Sequence, residues 1–272
     1  MWIFPKRVGS LEKSSKGLSA LITEPEWGKI TGKYYDRGTV VKESSSLSYS
    51  HKNALDLWNK SVELTELEHE AMKKELSGTL NGQFLDNPKF LPIFAEAERL
   101  DVPLYLHPGY PTNEEKDFFF KSESYNKMLE NLLSTFGWGW HMDQGLQMVR
   151  LIFSGIFDKF PNLKLISGHW GEFVPNFIER LDWLSGIPGI GLKRQFSEYY
   201  RDNVYVTPSG MFTKPQFDLA LAEMGADHIL YSEDYPYLMR EGQVKSFFDQ
   251  MLISPEDKEK IAYKNVEKLF KL

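Results

Sequence analysis

Three polar residues each follow a short apolar run typical of a buried strand, and their types suit metal binding. His107 ends the run PLYLH, His169 follows LKLISG, and Asp234 follows ILYSE. Imidazole and carboxylate groups are common ligands of zinc and manganese. One histidine in such a place is more often a hydrogen-bonded structural residue, but three residues placed alike favour a shared metal site.

The other histidines are interpreted as surface or packing residues: His51, His69, His141 and His228. His141 lies in the aromatic segment WGWH, which could also cover a substrate. The neighbouring aromatic residues are more often part of a core than of a pocket. The sequence therefore assigns no chemistry to these four positions.

Several classes of protein are excluded by composition. The 272 residues contain no cysteine, so disulfides, thiol nucleophiles and iron–sulfur clusters are ruled out. The chain also lacks a G-x-S-x-G motif, a P-loop and a dinucleotide fingerprint after a strand. A net charge of −6, without a basic cluster, argues against nucleic-acid binding. No run reaches 18 apolar residues, so we expect a cytoplasmic protein that does not contact a membrane.

Residues 76–272 alternate between strand-like and helix-like segments. The pattern predicts strands at 76–82, 103–107, 163–167, 204–207 and 229–232, and helices at 88–100, 125–160, 215–224 and 255–270. Such repetition indicates parallel strands joined by helices. The polar residues follow the carboxyl ends of the strands, where a (β/α)₈ barrel or an open α/β sheet places its active site.

Residues 1–75 read differently. Only the run ALIT at 20–23 is strand-like, and it ends in Glu24, Pro25, Glu26 and Trp27. The polar stretch that follows shows no convincing second and third strands. We therefore expect an N-terminal part that is shortened or incomplete.

Four stretches of the chain resemble one family: NGQFLDNPKFLPIFAEAERLDVPLYLHPGYP, GLQMVRLIFSGIFDKFPNLKLISGHWGE, VPNFIERLDW and ILYSEDYPY. They look like the amidohydrolase-related, metal-dependent decarboxylases, such as those acting on γ-resorcylate, 2,3-dihydroxybenzoate and 5-carboxyvanillate. The resemblance covers roughly residues 76–272. It implies a single α/β domain over 1–272, an amidohydrolase-type (β/α)₈ TIM barrel with one divalent metal ion, Zn or Mn.

The resemblance also implies roles for particular residues. The metal ligands would be Glu24, His107 and Asp234. The catalytic residues would be Asp234, His169 and Glu172: Asp234 and His169 would transfer protons, and Glu172, three positions after His169, would pair with that histidine. Arg180 and Tyr237 would contact the substrate, and Arg180 would bind the carboxylate of that substrate.

The activity implied by the resemblance is the non-oxidative decarboxylation of a hydroxybenzoate-type acid. Asp234, helped by His169, would protonate the ring carbon that bears the carboxylate, and loss of carbon dioxide would restore the ring. A metal-dependent lactone or ester hydrolase would use the same ligands, and a degenerate barrel without catalysis is a third reading. The expected partners are a small aromatic carboxylic acid and further copies of the chain, as a dimer or tetramer.

Overall fold

The computed structural model describes residues 82–234 and 243–272, together with two short strands near the N-terminus. These strands, β1 (Tyr34–Asp36) and β2 (Val40–Lys42), pair antiparallel with Tyr34 opposite Lys42. The strand predicted at 20–23 and nearly all of the one predicted at 76–82 lie outside the described residues.

Three parallel strands form the sheet that positions the site. They are β3 (Leu104–Leu106), β4 (Leu165–Ser167) and β5 (Val204–Val206), in the order β3-β4-β5. The strands predicted at 103–107, 163–167 and 204–207 are thus confirmed. The segment predicted as a strand at 229–232 contributes only a single parallel bridge, from Ile229 to Val206.

Eleven α-helices are described along this part of the chain. They are α1 (Leu91–Leu100), α2 (Asn113–Phe119), α3 (Lys127–Leu132), α4 (Gly139–Phe153), α5 (Ile156–Lys159), α6 (Ile178–Ser185), α7 (Phe196–Asn203), α8 (Lys214–Met224), α9 (Gln243–Gln250), α10 (Pro255–Glu259) and α11 (Asn265–Phe270). Short 3₁₀ turns precede α1 and α6. No described helix is long and apolar enough to cross a bilayer.

Burial explains why the strand sequences are mostly apolar. All residues of β4 and β5 are buried, as expected for parallel strands covered by helices. The helices turn their apolar faces to the same core: Phe94 and Ala97 from α1, Met148 and Leu151 from α4. This core fixes the carboxyl ends of the three strands relative to one another.

The helix predicted over 125–160 is interrupted, and backbone geometry explains the breaks. A kinked π-type turn over Leu133–Gly137 separates α3 from α4. Gly155 adopts φ 73° between α4 and α5, a left-handed conformation that suits glycine. Apolar periodicity continues through both breaks, so periodicity alone could not locate them.

The helix predicted at 255–270 is confirmed as α10, a π-type turn over Lys260–Lys264, and α11. Ser254 caps its start by accepting a hydrogen bond from the Asp257 amide. Buried Asn265 donates to the carbonyls of Ala226 and Ile229, at 2.7 and 2.8 Å. These bonds tie the last helix to the strand-like segment that leads to Asp234.

Candidate active site

The turn after β4 has an unusual backbone. Positive φ angles run through five consecutive residues: His169 (45°), Trp170 (57°), Gly171 (82°), Glu172 (52°) and Phe173 (65°). A left-handed backbone is uncommon outside glycine and persists only where neighbouring contacts hold it. Here the Trp170 amide donates to the Thr207 carbonyl at 2.7 Å. The turn is thereby fastened to the end of β5.

Glu172 lies between two histidines. Nδ1 of His169 lies 2.5 Å from its Oε1, and Nδ1 of His141 lies 2.7 Å from its Oε2. The Glu172 side chain is only 1% exposed, and those of His141 and His169 are 16% and 17% exposed. Since a carboxylate only accepts hydrogen bonds, both Nδ1 atoms are assigned as protonated donors.

Close packing of α4 against this turn brings His141 to Glu172. A Cβ on Gly145, one helical turn after His141, would lie 2.5 Å from the Glu172 carbonyl oxygen. Only glycine therefore lets the helix approach the backbone of the turn this closely. The interpretation of His141 as a packing residue is wrong, since the structure places it beside His169, with their ring centroids 4.5 Å apart.

The second nitrogen of His141 also faces an acceptor. Nε2 lies 3.0 Å from the carbonyl oxygen of Phe136, in the π-type turn. Burial opposes the charged form of this imidazole. The hydrogen bond and charge of Glu172, together with the Phe136 carbonyl, outweigh it and raise the pKa of His141 above its usual value. A protonated ring satisfies both acceptors.

His107 follows β3 directly and is exposed. Its Nδ1 lies 2.9 Å from the Pro108 carbonyl oxygen, an acceptor, which assigns the proton to Nδ1 and leaves Nε2 free. Gln144 of α4 steadies the end of this strand by donating to the Leu106 carbonyl at 3.1 Å. A free Nε2 with Nδ1 held by a carbonyl is the usual arrangement of a metal-binding histidine.

Asp234 lies within electrostatic range of both strand-end histidines. Loss of solvent raises the pKa of its carboxyl, and His169 and His107 act in the opposite direction. The charges of His107 and His169 thus both act on Asp234, and the metal site predicted from these residues remains a prediction. The predicted ligand Glu24 and the predicted substrate contact Tyr237 lie outside the described residues.

Arg180 is exposed on α6, and no hydrogen bond or ion pair of its guanidinium is found within 82–234 and 243–272. Its predicted role in holding a substrate carboxylate remains a prediction.

Asp143 lies on α4 beside the loop after β3. Burial, reinforced by the charge of Glu115, raises the pKa of its carboxyl to about 6, although the Gly109 amide donates to it. Its Oδ2 is buried without a hydrogen-bond partner. Asp143 could not be singled out from the sequence, because an aspartate on a helix is ordinarily solvated.

Hydroxyl groups join the ends of β3 and β5. The Tyr105 hydroxyl lies 3.1 Å from Thr207 Oγ1 and 2.9 Å from Ser209 Oγ, and those two atoms are 2.6 Å apart. A Cβ on Gly168 would lie 3.1 Å from the Tyr105 hydroxyl. These contacts fix the spacing of the strand ends on which the site is built.

Two sets of residues offer ligand atoms for a cation. In the first set, one metal-ligating atom from each of His141, His169 and Glu172 lies within 4.8 Å of the others. Their closest separations, 2.5 and 2.7 Å, are those of hydrogen bonds, and the Nδ1 atoms are occupied by them. In the second set, His107 offers a free Nε2 and Asp234 offers a carboxylate oxygen.

Comparison with known proteins identifies relatives of the matched region. The profile of the amidohydrolase family matches residues 74–272. The chain is 34% identical to γ-resorcylate decarboxylase of Rhodococcus jostii over 70% of its own length and 56% of that protein. It thus spans little more than half the length of this curated relative.

Solved structures are similar to the same region of the chain. A Staphylococcus aureus protein assigned to the amidohydrolases is 43% identical, with a TM-score of 0.68 over 72% of this chain and 63% of that one. A dihydroxybenzoic acid decarboxylase from Polaromonas sp., solved with manganese and 2-nitroresorcinol, is 32% identical, with a TM-score of 0.62 over 70% and 56%. The turn after β4, the strand ends and the matched sequence together show that the chain belongs to the amidohydrolase family.

Proposed function

We propose that this protein is a metal-dependent, non-oxidative decarboxylase of a hydroxybenzoate-type aromatic acid. The observation that carries the proposal is the convergence of His107, His169 and Asp234 at the strand ends, with Glu172 orienting His169. The relatives named as decarboxylases support the choice of reaction.

One divalent ion, manganese or zinc, fits the residues of the site. His107 offers Nε2, because its Nδ1 is held by the Pro108 carbonyl. Asp234 offers a carboxylate, and Glu24 is proposed as a third ligand. When bound, the ion would polarise oxygen atoms of the substrate and stabilise negative charge that develops on them.

His169 and Asp234 would transfer the proton that the substrate ring takes up, and Glu172 would orient His169. Glu172 fixes Nδ1 of His169 and so leaves Nε2 to exchange a proton with Asp234 or the substrate. Asp234 would share this proton with His169, whose charge acts on it. That proton would go to the ring carbon bearing the carboxylate, carbon dioxide would leave, and the bonding electrons would restore the aromatic ring.

Arg180 and Tyr237 are the proposed substrate contacts. A planar guanidinium pairs with a carboxylate through two parallel hydrogen bonds, a geometry that lysine lacks. We therefore expect Arg180→Lys to raise KM for a hydroxybenzoate sharply or abolish turnover while leaving metal content unchanged. Normal decarboxylation by this variant would remove Arg180 from the substrate site.

We further propose that residues 1–272 form one (β/α)₈ barrel with a shortened N-terminal part. The parallel order β3-β4-β5 and the parallel bridge at Ile229 are consistent with consecutive strands of such a barrel. A cytoplasmic homo-oligomer, dimer or tetramer, is proposed with it.

A screen of hydroxybenzoic acids tests the function. The purified protein, loaded with Mn²⁺ or Zn²⁺, is incubated with mono- and dihydroxybenzoates, and carbon dioxide and the phenol product are measured. We expect release from at least one ortho-hydroxy acid and none from the His107→Ala variant. Hydrolysis of lactones or aryl esters without decarboxylation would instead identify a hydrolase.

A further inference from the structure

We propose that His141 is a positioning residue. As an imidazolium hydrogen-bonded through both nitrogens, it fixes Glu172 so that Glu172 keeps Nδ1 of His169 protonated and Nε2 free. The effect on catalysis rests on the proposed function, whereas the effect on the His169 ring does not.

The hydrogen bonds of Glu172 carry the first step. Its two oxygens point to two different imidazoles, at 2.5 Å for His169 and 2.7 Å for His141. With a side chain 1% exposed, Glu172 has no bulk water to replace a lost partner. Without His141, Oε2 would be a buried acceptor with nothing to bind, and the carboxylate would rotate to recover a donor.

The charge of His141 follows from its two acceptors. A neutral ring carries one N–H and would leave either the Glu172 carboxylate or the Phe136 carbonyl facing a lone pair. Among the described residues, the titratable groups that face this ring are Glu172 and His169. A cation here also balances the buried negative charge of Glu172.

The orientation of His169 is the consequence. Neutral imidazole exchanges between two tautomers, and the hydrogen bond at one nitrogen decides which is populated. Glu172, immobilised by His141, selects the Nδ1–H form. Nε2 is then left free to accept a proton, on a ring whose charge acts on Asp234.

Two variants and a control test the inference. His141→Gln keeps one donor toward Glu172 but removes the charge, and His141→Phe removes both. His228→Gln is the matched control, because His228 stacks on Tyr205 and contacts the Val204 carbonyl at the start of β5. We expect kcat to fall about 10- to 100-fold in the His141 variants with KM changed less than about twofold, and the control to retain wild-type kcat.

Nitrogen NMR of histidine supplies a readout that a purely structural role would not move. The protein is labelled with ¹⁵N-histidine and loaded with zinc, which is diamagnetic. We expect His141 to be doubly protonated at pH 7 and His169 to be the Nδ1–H tautomer in the wild type, with mixed His169 tautomers in His141→Phe.

Two results would overturn the inference: a neutral His141 in the wild type, or an unchanged His169 tautomer in His141→Phe. A wild-type protein that decarboxylates no acid would instead overturn the proposed function. The NMR signals need no turnover and would still decide the role of His141.

Discussion

The buried carboxylate of Glu172 shows how a few side chains define this site. It accepts hydrogen bonds from two imidazoles, and one of these rings lies close enough to Asp234 to influence its ionisation. A single residue thereby links α4, the turn after β4 and the last strand-like segment. Substitutions that remove a titratable group among His141, His169 and Glu172 should therefore lower turnover more than they destabilise the fold.

Replacement of His169 tests that expectation directly. His169→Asn preserves size and polarity but cannot exchange a proton near neutral pH. We expect kcat for the decarboxylated acid to fall about 10²- to 10⁴-fold, while bound metal, measured by elemental analysis, stays at the wild-type level. His228→Asn is the control, and a His169→Asn enzyme with wild-type turnover would show that the ring is only structural.

Asp143 should make stability depend on pH. Its pKa rises from 3.8 unfolded to about 6 folded, so the folded state binds the proton more tightly. The free energy of unfolding should therefore decrease as pH rises from about 4 to 6, by at most about 3 kcal/mol from this group.

Urea unfolding of the wild type and of Asp143→Asn at pH 4, 5, 6 and 7 measures this dependence. Asn keeps an acceptor for the Gly109 amide but cannot ionise, so the difference between the two proteins should shrink toward pH 4. A difference in free energy of unfolding between the two proteins that is the same at all four pH values would contradict the expectation.

At the scale of elements, the site depends on how closely α4 approaches the turn of residues 169–173. Helix propensity alone favours alanine over glycine at Gly145 by about 1 kcal/mol. The added Cβ, however, would meet backbone rather than a mobile side chain, at 2.5 Å from the Glu172 oxygen. We expect the steric term to prevail, because a carbonyl held by a left-handed turn cannot move cheaply.

Gly145→Ala should accordingly lower the free energy of unfolding by about 1–3 kcal/mol and reduce turnover by displacing Glu172. Gly186→Ala is the control, since its Cβ would meet atoms no closer than 3.6 Å. Denaturant titration and kinetic assays of both variants make the comparison. Equal stability of the two alanine variants would show that α4 can withdraw without cost.

Sequence patterns predicted the elements better than the contacts between them. The runs LYL, LIS and VYV are short and rich in β-forming residues, and LIS and VYV are fully buried, so their position could be predicted directly. The pairing of His169 with Glu172 followed from the resemblance and their spacing of three. His141 could not be found this way, because its contact with Glu172 spans 31 positions and depends on the packing of Gly145.

At the scale of the whole molecule, binding of the metal should stabilise the fold. Its proposed ligands come from β3, from the segment after Ile229 and from the N-terminal part, so an ion would join regions far apart in the sequence. A ligand that binds only the folded state adds about 2.7 kcal/mol at 100 times its dissociation constant.

Thermal unfolding with and without Mn²⁺ measures this link. We expect Mn²⁺ to raise Tm by about 5 °C or more, and a chelator to reverse the shift. His107→Ala should abolish the shift without greatly lowering Tm in the absence of metal, since His107 is exposed. An undiminished shift in this variant would place the ion elsewhere.

The sharing of Glu172 by two histidines also constrains how this site can change through mutation. Glutamine at 172 would present one acceptor and one donor, so it could serve one protonated ring but would oppose the other. Glu172→Gln would therefore be harmful in the wild type but tolerated once position 141 has changed. We therefore expect the three positions to be epistatic, so that the order of mutations matters. Combinatorial libraries that vary 141, 169 and 172 together should recover active sequences that single-site scans miss.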